Sequence, residues 1–226
     1  MKKIIFGIFA HPDDEAFIVA GTLLKEVRTG SEVHLICLTE GAAGTNPDNV
    51  PNLGEVRLEE WRKAGELLGA TSMHHLGYTD GQLNNTTLLE ITSKLEAIVQ
   101  TTASDPQAII EFMAFDLNGL TGHIDHIVAS RAAALVFYRR KQNDTRFTRL
   151  RLACLPRDLY PTTDTNWLYM EPGRLASEIN EAIDARDMQG EIIEVIHAHY
   201  SQRQDGDAMI QTFGDRLGMN YFIVKE

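Results

Sequence analysis

The chain has 226 residues, 43% hydrophobic and 23% charged, which suffices for one sizeable domain with a buried core. A formal charge of −11 and a pI of about 5.2 exclude a large nucleic-acid footprint, which needs a clustered basic face. The basic cluster Arg139-Arg140-Lys141 with Arg146, Arg149 and Arg151 reads as an exposed helix end and the loop after it. Lys2 and Lys3 before an apolar run resemble the start of a secretion signal, but the run ends in His-Pro-Asp-Asp-Glu without a small-residue cleavage site. No apolar run approaches the ~18 residues of a membrane span. Cys37 and Cys154 lie inside apolar runs and outside any CxxC pair, as buried free thiols of a reducing compartment do. The reading is a single domain over residues 1–226, cytoplasmic, with neither nucleic acid nor a membrane as partner.

Ile4 to Ala10 is a short apolar run of the kind that forms a fully buried strand. Pro12 then keeps His11 out of the helical region. Ala16, Phe17, Val19, Ala20, Leu23, Leu24 and Val27 recur at helical spacing, which predicts a helix from about Asp14 to Gly30. A second buried strand is predicted over Glu32 to Leu38, followed by a long loop to about Gly54. Further on, a helix over Gly54 to Leu68 carries Val56, Trp61, Ala64, Leu67 and Leu68 on one face. Ser72 to Leu76 reads as a strand, Thr87 to Gln100 as a helix, and Ala108 to Phe112 as a fourth strand. Asn118 to His126 opens a helix that runs through about Tyr138. Four strand–helix repeats predict an α/β fold, a Rossmann-like and mostly parallel sheet flanked by helices on both faces. The last third is less regular, with strands over Leu150 to Leu155, Ile179 to Asp184 and Tyr221 to Val224 and an amphipathic helix over Glu191 to His199. Trp61 and Trp167 are assigned to packing.

Two stretches carry chemistry. His11, Asp13 and Asp14 sit where the first strand hands over to a helix, the edge of an open α/β sheet at which ligands bind. His11 and Asp14 have the donor types of a metal ligand pair, and Asp13 beside them is placed to act as a base. Acids there also complement a helix N-terminus, but that does not explain a histidine at the end of a buried strand. His123 and His126 are three apart at the start of a helix that follows the fourth strand, so both can face one way on the same sheet edge. Two histidines and a carboxylate also describe a non-haem iron site, but a dedicated base next to the ligands favours hydrolysis. A metal- or sugar-binding module without catalysis is a further alternative. A dinucleotide binder is disfavoured, because acids replace the glycine-rich turn and would repel a pyrophosphate.

Ala10-His-Pro-Asp-Asp-Glu15 and His123-Ile-Asp-His126 resemble the two signature motifs of the LmbE-like (PIG-L) zinc-dependent de-N-acetylases. Leu38-Thr-Glu-Gly-Ala-Ala-Gly44, the helix beginning Gly54-Glu-Val-Arg57, Leu76-Gly-Tyr-Thr-Asp80-Gly81 and His199-Tyr-Ser-Gln202 resemble later segments of that family, although Thr79 stands where proline is common. The resemblance implies that His11, Asp14 and His126 bind Zn2+, with Fe2+ or another divalent ion as alternatives. It implies Asp13 as general base, a protonated His123 stabilising the tetrahedral intermediate, and Asp125 orienting His123. Arg57 and Asp80 are implied to hold the substrate's sugar, and His199 to line the pocket. The implied reaction removes acetyl from an N-acetylglucosamine-type substrate. A small soluble glycoside such as a glucosaminyl malate precursor is favoured over chito-oligosaccharides for this chain. A homo-oligomer is allowed rather than required.

Overall fold

The opening apolar run forms β1 (Lys3–Phe9), with every residue from Ile4 to Phe9 buried, as an interior strand of a parallel sheet requires. It lies in a computed structural model that describes residues 2–160 and 173–226. β2 (Glu32–Thr39), β3 (Ser72–Tyr78), β4 (Ile109–Phe115) and β5 (Phe147–Cys154) run parallel with β1. β6 (Glu181–Asp184) and β7 (Met219–Lys225) add an antiparallel margin, giving the order β3-β2-β1-β4-β5-β7-β6. The mostly parallel α/β sheet expected from the strand–helix alternation is the one observed.

Between the strands lie α1 (Asp14–Ile18), α2 (Ala20–Arg28), α3 (Leu53–Leu68), α4 (Asn85–Thr102), α5 (Gly119–Gly122) and α6 (Ile124–Lys141). α7 (Gln189–Ala198) and α8 (Arg203–Phe213) precede the last strand. Chain direction sets which face each helix covers. The path β1, β2, β3 steps one way across the sheet, so right-handed crossovers put α2 and α3 on one face. There Leu23, Trp61, Ala64 and Leu68 pack with Ile192 and Val195 of α7. The path β3, β4, β5 steps back past β1, which puts α4 and α6 on the other face. Ile91, Leu95, Ala132 and Phe137 pack there around Phe112, whose ring meets Phe6, Phe137 and Phe147 edge-on or tilted at centroid distances of 5.5, 5.9 and 5.8 Å. Because the path reverses between β1 and β4, a crevice opens there at the strands' carboxyl ends.

Three expectations change. The single helix expected over Asp14 to Gly30 is broken at Val19, whose φ of −128° ends α1 and starts α2. Arg151 is not part of an exposed basic loop. It lies within β5 at 4% exposure, and its guanidinium bonds Glu26 at 2.9 Å, Glu111 at 2.7 Å and Glu181 at 2.8 Å. A buried arginine is tolerable only with such partners. α8 was not expected. Gly206 inside it weakens its helical pattern, yet a Cβ there would lie 2.8 Å from Ile196 Cγ2, so the glycine is what lets α8 pack closely on α7. Trp61 is buried as expected, Trp167 lies outside the described residues, and no described helix is long and apolar enough to cross a membrane.

Candidate active site

Four loops meet at the carboxyl edge. His11 to Asp14 follow β1, the residues after Thr39 follow β2, Asp80 and Gly81 follow β3, and Thr121 to His126 follow β4. They enclose a cleft of about 520 Å³ to which His11, Asp13, Asp14, Arg57, His123 and His126 all contribute.

His11 Nδ1 and His126 Nε2 face each other at 3.0 Å. Their opposite ring nitrogens have acceptor partners. His126 Nδ1 donates to the Gly119 carbonyl at 3.1 Å. His11 Nε2 donates towards Asp80 Oδ1 at 3.0 Å, with Asp125 Oδ2 at 3.4 Å. In the neutral rings these partners fix the protons on the outer nitrogens, so two lone pairs point at each other. Asp14 completes the cluster, Oδ1 at 3.3 Å from His126 Nε2 and Oδ2 at 3.9 Å from His11 Nδ1. The main-chain N–H groups of Ala10 and His11 hold Asp14 Oδ2 in place, each at 3.0 Å. Donors around a tetrahedral zinc at ~2.0–2.1 Å lie roughly 3.3 Å apart, so the spacing suits a divalent ion. Carboxylate and carbonyl partners on the outer nitrogens are the usual support of histidine ligands. Two overlapping clusters also converge within 4.8 Å, namely His11, His123 and His126, and His11, Asp80 and Asp125.

The electrostatics favour positive charge at this point. Burial opposes protonation of His11, but its bonds to Asp125 and Asp80 and the charge of Asp14 outweigh it and raise the pKa to about 10. Burial likewise opposes ionisation of Asp14, and His126 and His11 reverse that, holding its carboxyl below the ordinary range.

Asp13 is held in a strained backbone conformation, φ 121° and ψ −26°, which costs about 1–3 kcal/mol outside glycine. Its neighbours account for its persistence. Arg57 Nη2 donates to Asp13 Oδ2 at 2.8 Å and to the Pro12 carbonyl at 2.7 Å, while Asp13 N–H donates to Glu15 Oε2 at 3.3 Å. Arg57 Nη1 reaches the Gly41 carbonyl at 2.7 Å. A Cβ on Gly41, whose φ is +70°, would sit 2.6 Å from the guanidinium carbon, so this close approach requires glycine. Burial and the Asp14 charge push Asp13 up, against Arg57, His199 and His11, to a pKa of about 6. That value suits a base working near neutral pH.

Several site residues have partners other than those the resemblance implies. Arg57 and Asp80, expected to hold a sugar, are engaged with the protein. Arg57 holds Asp13 and the loop, and Asp80 takes His11 Nε2 on one oxygen and the Ala43 N–H, at 2.9 Å, on the other. His199 does not line the cleft as expected. It is 0% exposed and bonds Glu15 Oε1 at 2.9 Å, behind Asp13. Asp125 reaches His123 through its main-chain N–H, which donates to His123 Nδ1 at 3.2 Å. Its carboxylate accepts from Gly81 N at 2.7 Å and Leu83 N at 3.1 Å and faces His11. Burial and the neighbouring His126 and His11 hold the pKa of His123 below the usual value, against the Asp125 and Asp14 charges. With Nδ1 accepting, a neutral His123 carries its proton on Nε2 and remains a donor.

Glu15, Phe17, Thr121 and Asp205 were missed as site residues. The last lies on the helix that was not expected. Gln202 and Arg203, at the start of that helix, hold the loop after β2 at the Thr45 carbonyl, 2.9 Å, and at Asp48 Oδ2, 2.7 Å.

With this geometry in hand, comparison with known proteins gives a consistent picture. Residues 6–137 match the model of the PIG-L family, described as GlcNAc-PI de-N-acetylase. The chain is 26% identical over 214 residues to a "Probable N-acetyl-alpha-D-glucosaminyl L-malate deacetylase 2" of Bacillus anthracis, covering 89% of this chain and 82% of that protein. It superposes with a TM-score of 0.69 on the N,N'-diacetylchitobiose deacetylase of Pyrococcus horikoshii at 20% identity, covering 99% of this chain and 83% of the other. A hydratase shares the fold as well, the 4-carboxy-2-hydroxymuconate hydratase GalB of Pseudomonas putida KT2440, with a TM-score of 0.64, 16% identity, and coverage of 100% and 97%. The fold alone therefore does not decide the reaction. The family match covers more than half of the sequence, and the chain belongs to the PIG-L family of de-N-acetylases.

Proposed function

We propose that this protein is a metal-dependent N-deacetylase that hydrolyses the acetamide of a small N-acetylglucosaminide, N-acetylglucosaminyl malate being the favoured example. The observation that carries this reading is the pair of facing ring nitrogens on His11 and His126, closed by Asp14 and set beside an Asp13 whose pKa is about 6. His11, Asp14 and His126 would hold the ion, and three protein donors leave room for substrate and water. A divalent zinc supplies a hydroxide nucleophile at neutral pH and an electrophile for a carbonyl oxygen. His123 is kept out of the ligand set in this reading, because its Nδ1 accepts from the Asp125 N–H.

The protein's own groups then divide the work. Asp13 is ionised above its pKa and takes a proton from the attacking water. Nε2–H of His123 donates to the oxygen that becomes anionic in the tetrahedral intermediate. A positioned donor of that kind is worth about 10²–10³ in rate. Asp13 then passes its proton to the departing amine, and acetate and the amino sugar leave. Arg57 keeps Asp13 ionised and aimed, and Asp80 with Asp125 fixes the tautomer of His11. Chito-oligosaccharides are the alternative substrate class. The enzyme is read as a cytoplasmic single domain.

The test is acetate release from N-acetylglucosaminyl malate, N-acetylglucosamine and diacetylchitobiose by zinc-loaded protein. Release with malate glycoside preferred supports the reading. Preference for diacetylchitobiose moves the substrate class, and no release from any member, with one metal bound per chain, overturns deacetylation.

A further inference from the structure

We propose that Glu15 is a positioning residue for the base Asp13, braced against α3 through residues 199–202. The inference rests on the deacetylase reading, in which Asp13 moves the protons, and adds a residue to that machinery. Asp13 has φ 121°, a conformation that residues with a Cβ avoid, so its main chain relaxes unless something holds it. Its N–H is turned to Glu15 Oε2 at 3.3 Å, and both residues are buried. A buried N–H needs an acceptor, and Glu15 is the one it has among the described residues. Glu15 Oε1 in turn meets His199 Nε2 at 2.9 Å. His199 is fully buried and its Nδ1 has no hydrogen-bond partner among the described residues, so the ring's one side-chain hydrogen bond is the one to Glu15.

The contacts continue to a fixed element. Ser201 gives its N–H to Glu60 Oε1 at 2.8 Å and its hydroxyl to Glu60 Oε2 at 2.6 Å. The Gln202 N–H closes the turn on the His199 carbonyl at 2.9 Å. Glu60 lies one turn after Arg57 on α3, so the two project from one face of that helix. The helix therefore reaches Asp13 twice. Arg57 holds the carboxylate, while Glu60, Ser201, His199 and Glu15 in succession hold the main-chain N–H. An acid that only complements the helix dipole of α1 would sit in solvent, whereas Glu15 is buried and both its oxygens have named partners. Asp14 is held separately, by the N–H groups of Ala10 and His11, so the brace bears on the base and not on the metal ligands.

The experiment uses the zinc-loaded full chain with N-acetylglucosaminyl malate and reads kcat, KM and zinc affinity. Glu15→Met removes the acceptor and keeps the volume. A misplacement of about 1 Å can cost about 10²-fold, so kcat is expected to fall about 10–100-fold. KM should stay within about twofold and zinc affinity, by chelator competition, within about threefold, because the lost interaction acts on the reacting step. Glu15→Gln keeps an oxygen for the Asp13 N–H and turns its amide to His199, so it should restore kcat to within about threefold of the native value. In isotope-labelled protein the Asp13 amide should exchange with heavy water at least about tenfold faster in Glu15→Met, while the amides of β1 keep their rates. Should Glu15→Met not fold, Ser201→Ala loosens the far end of the brace and should lower kcat at least about threefold at unchanged KM. Unchanged kcat in Glu15→Met, or in Ser201→Ala, overturns the proposal and leaves the deacetylase reading standing. Zinc affinity that falls in step with kcat overturns it too, because Glu15 then acts through Asp14. So does a Glu15→Gln as slow as Glu15→Met, because charge and not the hydrogen bond is then what matters. If the native protein releases no acetate, the deacetylase reading fails, and amide exchange that is the same with and without Glu15 then overturns this proposal as well.

Discussion

Replacing Arg57 with Gln removes the one guanidinium that touches the proposed base. Its Nη2 lies 2.8 Å from Asp13 Oδ2, and both side chains are buried, so solvent screens the pair little. An arginine at such range lowers a carboxylate by about 1–3 pKa units, equivalent to roughly 1.4–4 kcal/mol. Asp13 sits at about 6 with Arg57 present. Without it, the same burial and the Asp14 charge should carry Asp13 to roughly 7–9. The sign follows from the role. A base works when ionised, so activity rises with pH through its pKa, and losing Arg57 moves that rise to higher pH. At pH 7 the ionised fraction should fall from about nine-tenths to between roughly one half and one hundredth, with activity recovering near pH 9. Arg57→Lys keeps the charge and should hold the rising limb within about half a unit. The assay is kcat/KM for acetate release from pH 5 to 9.5. A limb that stays in place while activity drops equally at every pH would refute the electrostatic role and return Arg57 to positioning or substrate contact.

Other perturbations separate the remaining roles. Asp13→Ala should still bind one metal per chain by elemental analysis but lose turnover, and a fully active variant contradicts the base assignment. Asp80→Asn removes the carboxylate that holds the His11 Nε2 proton, so metal affinity by chelator competition should fall about 10–100-fold, and an unchanged affinity contradicts that support. His199→Ala leaves Glu15 buried at 1% exposure without its cation, so urea unfolding should show a loss of about 3–5 kcal/mol, and a loss under about 1 kcal/mol contradicts a charged pair. Burial opposes but the Glu15 and Asp13 charges raise the pKa of His199. The pair's stabilisation is therefore fully present below ~6.5, the ordinary histidine value, and fades as pH rises through the higher folded-state value. The stability gap between the native protein and His199→Gln should narrow over that window.

The parallel part of the sheet was legible because β1, β2 and β4 are short apolar runs, and because helical spacing follows each of the first four strands. The placement of His11, Asp14, His123 and His126 at one edge followed from strand order. What sequence could not supply were partners. Arg57 and Asp80 stand at positions that match the family, but only the fold shows that β2's glycine loop brings Gly41 onto the guanidinium and that β3's turn delivers Asp80 to His11. His199 is 184 positions from Glu15 in the sequence, and no local pattern signals that pair. Arg151 was misread because charge in sequence suggests exposure, while three glutamates from three other elements close around it. α8 was hidden by Gly206, so an apolar cavity that Met209 and Phe213 help to form went unseen as well.

The most direct measurement is a metal titration of acetate release. Protein stripped with a chelator is reloaded with increasing zinc, and activity on N-acetylglucosaminyl malate is read beside bound metal. The expected result is no release from the stripped protein and a linear return that saturates at one zinc per chain. His126→Ala should break that return by weakening binding. Undiminished release from thoroughly stripped protein, or one tightly bound zinc per chain with no acetate released from any N-acetylglucosaminide, would contradict the assignment of His11, Asp14 and His126 to a hydrolytic metal centre.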